Sequence, residues 1–305
     1  YMAGLLAAKS LAHHGFRVFV RERLLRLGVP YLVLIPLIWP VVSYLLNRVG
    51  STATSESLWS YWWRELVHLN SGALWFILVL LLYSVAYAIW RTLHPPTVTG
   101  GPLGPMYLVS LGVAIGLVTF AIRIALPMDS EQFLNVHLWQ WPQCAFMFWF
   151  GTVCGERGWL KELPDVWWHR AGLISLVAVL CVPLLLVAGG ALSGQDVVFK
   201  GGWHWQAFAA AGIEGVLTVS ATLWLLDYFR RRHNRQGRFA RNLTRSAYAA
   251  YLVQFGALVA LGVVMRQLAL PDMVKFLLVA PTAVVISFAV AWLLVIQLKF
   301  ASRIL

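Results

Sequence analysis

Eight stretches of this chain are apolar over about twenty residues each, the length an α-helix needs to cross the hydrocarbon core of a bilayer. They lie near 27–47, 73–91, 106–126, 137–155, 171–189, 203–226, 246–264 and 276–297. The stretch 137–155 is the least regular, because Trp139, Gln140, Pro142 and Gln143 roughen its start. Of the 305 residues 60% are hydrophobic and 12% charged, whereas a soluble domain has about a quarter charged. The fold class that follows is all-α, a polytopic transmembrane helix bundle in an integral membrane protein. Many of the sixteen Trp flank the apolar runs, where indoles prefer the interface.

The loops test that map. Eighteen of the 24 Lys and Arg fall in one set of alternate loops and five in the other, with Arg123 inside a span. The rich set takes in Lys9 to Arg26, Arg91, Arg157 to Arg170, Arg230 to Arg245, and Lys299 with Arg303. Such asymmetry marks the rich set as cytoplasmic. Topology therefore explains the net charge of +12 better than nucleic acid does, and no nucleic-acid partner is expected. No internal repeat or low-complexity linker interrupts the pattern, so residues 1–305 read as one transmembrane domain. Residues Tyr1 to Ala8 look like the last turns of a further span, and the expectation is a chain lacking its true N-terminus.

Cys144, Cys154 and Cys181 are odd in number, lie in apolar stretches, and show no CxxC or Cys/His spacing. Neither a disulfide framework nor a metal site is indicated, and small apolar filler is their expected role. The eight histidines all sit in loops or at span ends, so none is a desolvated mid-span base. No Gly-x-Ser-x-Gly elbow, phosphate-binding glycine loop or HExxH pattern is present.

Three polar groups are expensive where they stand. Arg123 lies four residues before Pro127, close enough to the outer end of its span to snorkel to the headgroups. Glu214 lies about halfway along its span, where a short acidic side chain must either be protonated or find a partner. Gln254 is expected to hydrogen-bond between helices. On the cytoplasmic side the chain reads Arg21-Glu22-Arg23-Leu24-Leu25-Arg26 just before an apolar run. On an α-helix Arg23 and Arg26 would share a face and could grip one phosphate together, although membrane topology and lipid contact explain them as well.

Several of these segments resemble the membrane acyltransferase-3 family, the bacterial O-acyltransferases that modify sugars and glycans. Phe16 through Pro30 resembles its first cytoplasmic loop, with Arg23 and Arg26 in the places of an RxxR motif. Leu74-Trp75-Phe76 with Leu80 to Tyr83 resembles its LWF span. Arg123 with Pro127, then Gly151 through Leu160, resembles a middle section, and Asn234 through Tyr251 resembles the late loop and span. The resemblance runs nearly end to end.

The resemblance implies a ten-helix fold, with the eight complete spans here preceded by two more. It implies acyl-CoA (acetyl-CoA by the family's habit) as donor co-substrate at the cytoplasmic face, no metal, and transfer to a hydroxyl of a sugar, glycan or lipid-linked acceptor. It places the protein in a bacterial inner membrane among membrane lipids. Arg23 and Arg26 become candidates for the CoA phosphates, since guanidinium forks suit phosphate oxygens. Trp75 and Phe76 become candidates to line the donor channel, with Arg123 and Tyr251 as further site residues. The family's essential His belongs to a first span that precedes this chain, so the catalytic residues are unknown, with Glu214 and Gln254 as weak candidates. Gln254 stands where many members carry a second His, and an amide cannot act as base. A chain without the first span is expected not to transfer acyl groups. An inactive family-like protein that binds acyl-CoA or a partner and, below it, a multi-pass transporter or lipid flippase motivated by Arg123 and Glu214 are the alternatives. The aromatic loop Val49–Ser71, with Trp59, Trp62 and Trp63, suits either a sugar ring or interfacial anchoring.

Overall fold

A computed structural model describes residues 1–49, 57–67, 71–95, 103–130, 132–159, 165–194, 197–232 and 237–297. These form ten helices of ten residues or more and no strand. They are α1 (Met2–Arg23), α2 (Val29–Val49), α3 (Leu58–Val67), α4 (Trp75–Leu93) and α5 (Pro105–Ala125). Then come α6 (Trp141–Arg157), α7 (Asp165–Ala188), α8 (Trp205–Arg232), α9 (Arg238–Arg266) and α10 (Asp272–Gln297). Shorter pieces include a π-helical turn at Leu24–Gly28 and a single turn at Val197–Lys200.

Among the described residues seven segments are long and apolar enough to cross a bilayer, one of them running through α1 and α2. Eight were expected, and the difference is the roughened stretch near 137–155. There the helix proper begins only at Trp141, with Pro142 in its first turn, and runs 17 residues. Ahead of it Leu134, Asn135 and His137 adopt left-handed φ values of 57°, 48° and 51°. Such angles cost L-residues of order 1–3 kcal/mol each, so the chain turns here and does not extend the helix.

The described chain packs as two compact units. The first comprises Tyr1–Arg23, Val79–Gln132 and His137–Asn234. Within it, glycine seams let helices approach closely, as is usual where lipid rather than water surrounds them. A Cβ on Gly215 of α8 would overlap the carbonyl oxygen of Gly112 on α5. A Cβ on Gly116 would lie 3.2 Å from both the Ala211 oxygen and the Gly212 Cα. Gly4 of α1 meets the Phe148 carbonyl of α6, and Gly151 of α6 meets the Tyr1 carbonyl in the same way. Trp224 of α8 packs across Gly172 of α7. Around these seams lies a core of Leu5, Leu111, Ile115, Met147, Phe150, Cys154, Val219 and Leu223. Cys154 is thus filler in that core, and all three cysteines are free thiols.

The second unit comprises Leu24–Leu78, Phe133–Val136 and Arg235–Leu305; helix α4 runs from it, at Trp75–Leu78, into the first. Pro36 and Pro40 lie inside α2. Pro40 has no N–H, so the Pro36 carbonyl one turn earlier loses its helical donor. The Trp62 indole Nε1 donates to that oxygen at 2.9 Å. Tyr61, 1% exposed, is held between Ser43 Oγ at 2.9 Å and the Asn47 amide, which donates to its hydroxyl. These bonds fasten α3 along α2. Trp59, Trp62 and Trp63 pack on one another, with centroids 5.3–5.6 Å apart. The segment Phe133–Val136 is tied to Ser71, whose N–H and hydroxyl both donate to the Leu134 carbonyl, at 2.9 and 2.5 Å. Helices α9 and α10 pair around Ala249, Ala250 and Ala291, small residues again allowing close contact.

Candidate functional site

In the first unit, three helices converge on a charged cluster at membrane depth. Helix α5 starts on Pro105, whose fixed φ suits a first helical position, and stops at Leu126, before Pro127. Its last turn carries Arg123. The turn Val197–Lys200 and the glycines after it close over that end. Gly202 N–H donates to the Arg123 carbonyl at 3.0 Å, and Met128 N–H donates to the Lys200 carbonyl at 3.0 Å. A Cβ on Gly201 would overlap the Arg123 carbonyl, so only glycine fits there. Lys200 pairs with Asp129 at 3.3 Å.

The Arg123 side chain is 1% exposed, which excludes snorkelling to the headgroups. Its partner is Glu214, 91 residues away on α8. The two terminal nitrogens of the guanidinium reach the two carboxylate oxygens at 3.0 and 2.7 Å, a fork-on-fork pair. Gln143 of α6 donates its amide to the same carboxylate at 2.5 Å. The Trp139 ring lies over the guanidinium, 5.1 Å from centroid to Cζ. Glu214 is therefore a partnered side chain, and the alternative of one packed without a partner does not apply. A third of that side chain, 34%, remains exposed. The open edge of the carboxyl group can still accept hydrogen bonds from hydroxyls. Arg123 Nε and the Thr119 hydroxyl one turn earlier are buried with no hydrogen-bond partner among the described residues.

A second charged cluster in this unit joins α4 to α6. Glu156 accepts from Arg91 Nε at 2.7 Å, from a terminal nitrogen of the same guanidinium, and from the Tyr87 hydroxyl at 2.5 Å. At the end of α8, buried Asp227 holds Arg230 at 2.6 Å and Arg231 at 2.5 Å. None of these partnerships was read from the sequence. For Gln143 the only signal was a polar residue at the rough start of an apolar stretch.

The second unit brings together residues from three distant parts of the resemblance. The Tyr248 hydroxyl of α9 donates to the backbone carbonyl of Arg26 at 2.7 Å. Phe76 at the start of α4 meets Tyr251 of α9 edge-on, with centroids 6.5 Å apart, and Trp75 meets Phe76 at 5.9 Å. Trp39 stacks on Phe255 at 5.5 Å, next to half-buried Gln254.

Arg23 closes α1, its guanidinium 5.0 Å from the Phe19 ring, and Arg26 lies exposed within the π-helical turn. A π turn bonds i to i+5, so the α-helical spacing that would set the two arginines on one face does not hold through this stretch. Of the late-loop motif, Asn234, Arg235 and Gln236 lie outside the described residues. No group of three or more His, Cys, Asp and Glu able to hold a metal occurs among the described residues.

Comparison with known proteins gives one family. The family described as an acyltransferase domain, acyltransferase 3, matches residues 1–296. No curated protein and no solved structure matches the chain. With helices crossing a membrane and one family spanning almost its whole length, this chain belongs to the acyltransferase 3 family of membrane acyltransferases.

Proposed function

We propose that the protein is a membrane O-acyltransferase that moves an acyl group, acetyl in the simplest case, from acyl-CoA to a hydroxyl of a sugar, glycan or lipid-linked acceptor. The observation that carries this reading is the family match over residues 1–296. The Arg-rich loops face the cytoplasm, by the charge asymmetry of the loops, and the donor arrives there. Arg23 and Arg26 take the CoA phosphates, each through a guanidinium fork that suits phosphate oxygens. Trp75, Phe76 and Tyr251 flank the acyl-pantetheine arm. The grouping of Arg26, Phe76 and Tyr251 in one compact unit supports their part of that assignment, whereas Arg23 ends a segment of the other unit.

In the reaction the acceptor oxygen bonds to the thioester carbonyl carbon, the carbon–sulfur bond breaks, and CoA leaves as its thiol. A general base takes the hydroxyl proton and returns it to the thiolate. Gln254 cannot fill that role, because its amide does not titrate near neutral pH. Glu214 does not fill it either, because its carboxylate is already shared with Arg123 and Gln143. The chain acts as one transmembrane domain.

The donor assignment is tested by acetyl-CoA binding to the full-length protein in detergent. Each charge-assisted phosphate contact is worth about 1.5–3 kcal/mol, so Arg23→Ala with Arg26→Ala weakens binding by at least tenfold. Binding indifferent to both substitutions returns the arginines to a purely topological role.

A further inference from the structure

The side of the first unit formed by α5, α7 and α8 carries a groove that the acyl-transfer reading does not use. Two cavities, about 600 and 470 Å³, run into each other and share Gly112, Val113, Ile174 and Val216. Each has the volume of a ligand pocket rather than of a packing flaw. The larger ends at Cys181 and Phe208, and the smaller ends at Trp167, Arg170 and Ser220. The walls are hydrocarbon. Val113, Leu117, Leu173, Val177 and Phe208 are each about half exposed and face outward.

Helix packing does not require the shape of this groove. Gly112, Gly116 and Gly215 are explained by the close crossing of α5 and α8. Gly212 is not, because a Cβ there would meet nothing within 4 Å. A mid-helix glycine costs about 1 kcal/mol relative to alanine, and a side chain on this one would not obstruct the crossing at Gly116. What Gly212 does is deepen the floor of the larger cavity.

The position of the groove selects its occupant. Helices α5, α7 and α8 are three of the bilayer-crossing segments, so what reaches an apolar cleft on their outer side is lipid. At one end stand Arg170 and Trp167, a cation and an interfacial indole on the first turns of α7. That pairing complements an anionic headgroup with its chain continuing into hydrocarbon.

We infer that the α5–α7–α8 groove is a binding site for an anionic glycerophospholipid, its phosphate at Arg170 and one acyl chain lying over Gly112, Gly116 and Gly212. The inference stands apart from the acyltransferase reading, since it needs neither acyl-CoA nor an acceptor.

The test uses full-length protein, stripped of lipid in detergent and offered phosphatidylglycerol or phosphatidylcholine with identical acyl chains. Retention is read by native mass spectrometry. The wild type is expected to retain phosphatidylglycerol about fivefold better than phosphatidylcholine, the worth of one basic contact near the membrane surface. Arg170→Glu removes that preference. Gly212→Leu fills the floor and abolishes retention of both lipids, with an unchanged melting temperature to show that the fold is intact. Leu184→Ala, on an exposed part of α7 outside the groove, leaves both unchanged. Equal retention of the two lipids by the wild type overturns the headgroup assignment. Retention that survives Gly212→Leu, or that falls equally with Leu184→Ala, overturns the site.

Discussion

Two Arg–Glu pairs in the first unit are both two-pronged, Arg123 end-on through its terminal nitrogens and Arg91 side-on through Nε and one terminal nitrogen, and their surroundings differ. Arg123 and Glu214 meet where one partner is 1% exposed, and a third donor, Gln143, completes the carboxylate. Arg91 and Glu156 meet with both side chains 20% exposed, near helix ends, and Tyr87 completes the carboxylate. Between them they show that geometry alone does not set what an ion pair is worth. Arg123 has no water to fall back on while Glu214 keeps a third of its side chain open, so the value of this pair lies in what loss of the carboxylate would leave behind. The half-open pair can exchange its partner for water and counter-ions.

The largest effect follows from breaking the buried pair on one side only. Glu214→Leu strands the buried Arg123 guanidinium and is expected to destabilise the protein by about 3–5 kcal/mol, measured by thermal unfolding in detergent. Arg123→Leu with Glu214→Leu together recovers a substantial part of that loss, because no charge is left uncompensated. Strict additivity of the two single losses would show that the pair is not coupled.

Next in size is the crossing that sets the partners opposite each other. Gly215→Ala pushes a methyl group into the Gly112 carbonyl and is expected to cost about 1–3 kcal/mol. A neutral result would mean that α5 and α8 are free to separate.

The smallest effect belongs to the half-open pair. Glu156→Gln should cost about 1 kcal/mol or less, and the difference from wild type should shrink as salt rises. A loss as large as that of Glu214→Leu, insensitive to salt, would erase the distinction between the two sites.

How much of this was legible in the sequence varies with the physics of each feature. The bundle follows from apolar runs of bilayer length, a local and cumulative signal. Arg123 and Glu214 were legible one by one, as charges in costly places. That they are each other's answer was not, because 91 residues separate them and pairing depends on the glycine-mediated crossing of α5 and α8. Arg91 and Glu156 gave no signal, since charges at span ends are ordinary. The span expected near 137–155 became the 17-residue α6 because three left-handed residues and Pro142 outweigh hydropathy in that stretch. A basic sequence spaced for one α-helical face gave no hint of the π turn at Leu24–Gly28. The proline in α2 that frees a carbonyl was visible, whereas the Trp62 that satisfies it was a matter of tertiary packing.

The central claim is acyl transfer, and the most direct measurement follows the acyl group itself. Membranes containing the full-length protein are incubated with acetyl-CoA labelled in the acetyl group, beside membranes carrying the Arg23→Ala/Arg26→Ala variant. The account predicts label in a product that alkaline hydroxylamine releases, as it does an oxygen ester, with free CoA thiol appearing in step and both signals falling in the variant. Acetyl-CoA bound at wild-type affinity with no labelled ester and no thiol release would contradict transfer, and would make this member of the family a binder of acyl-CoA without turnover.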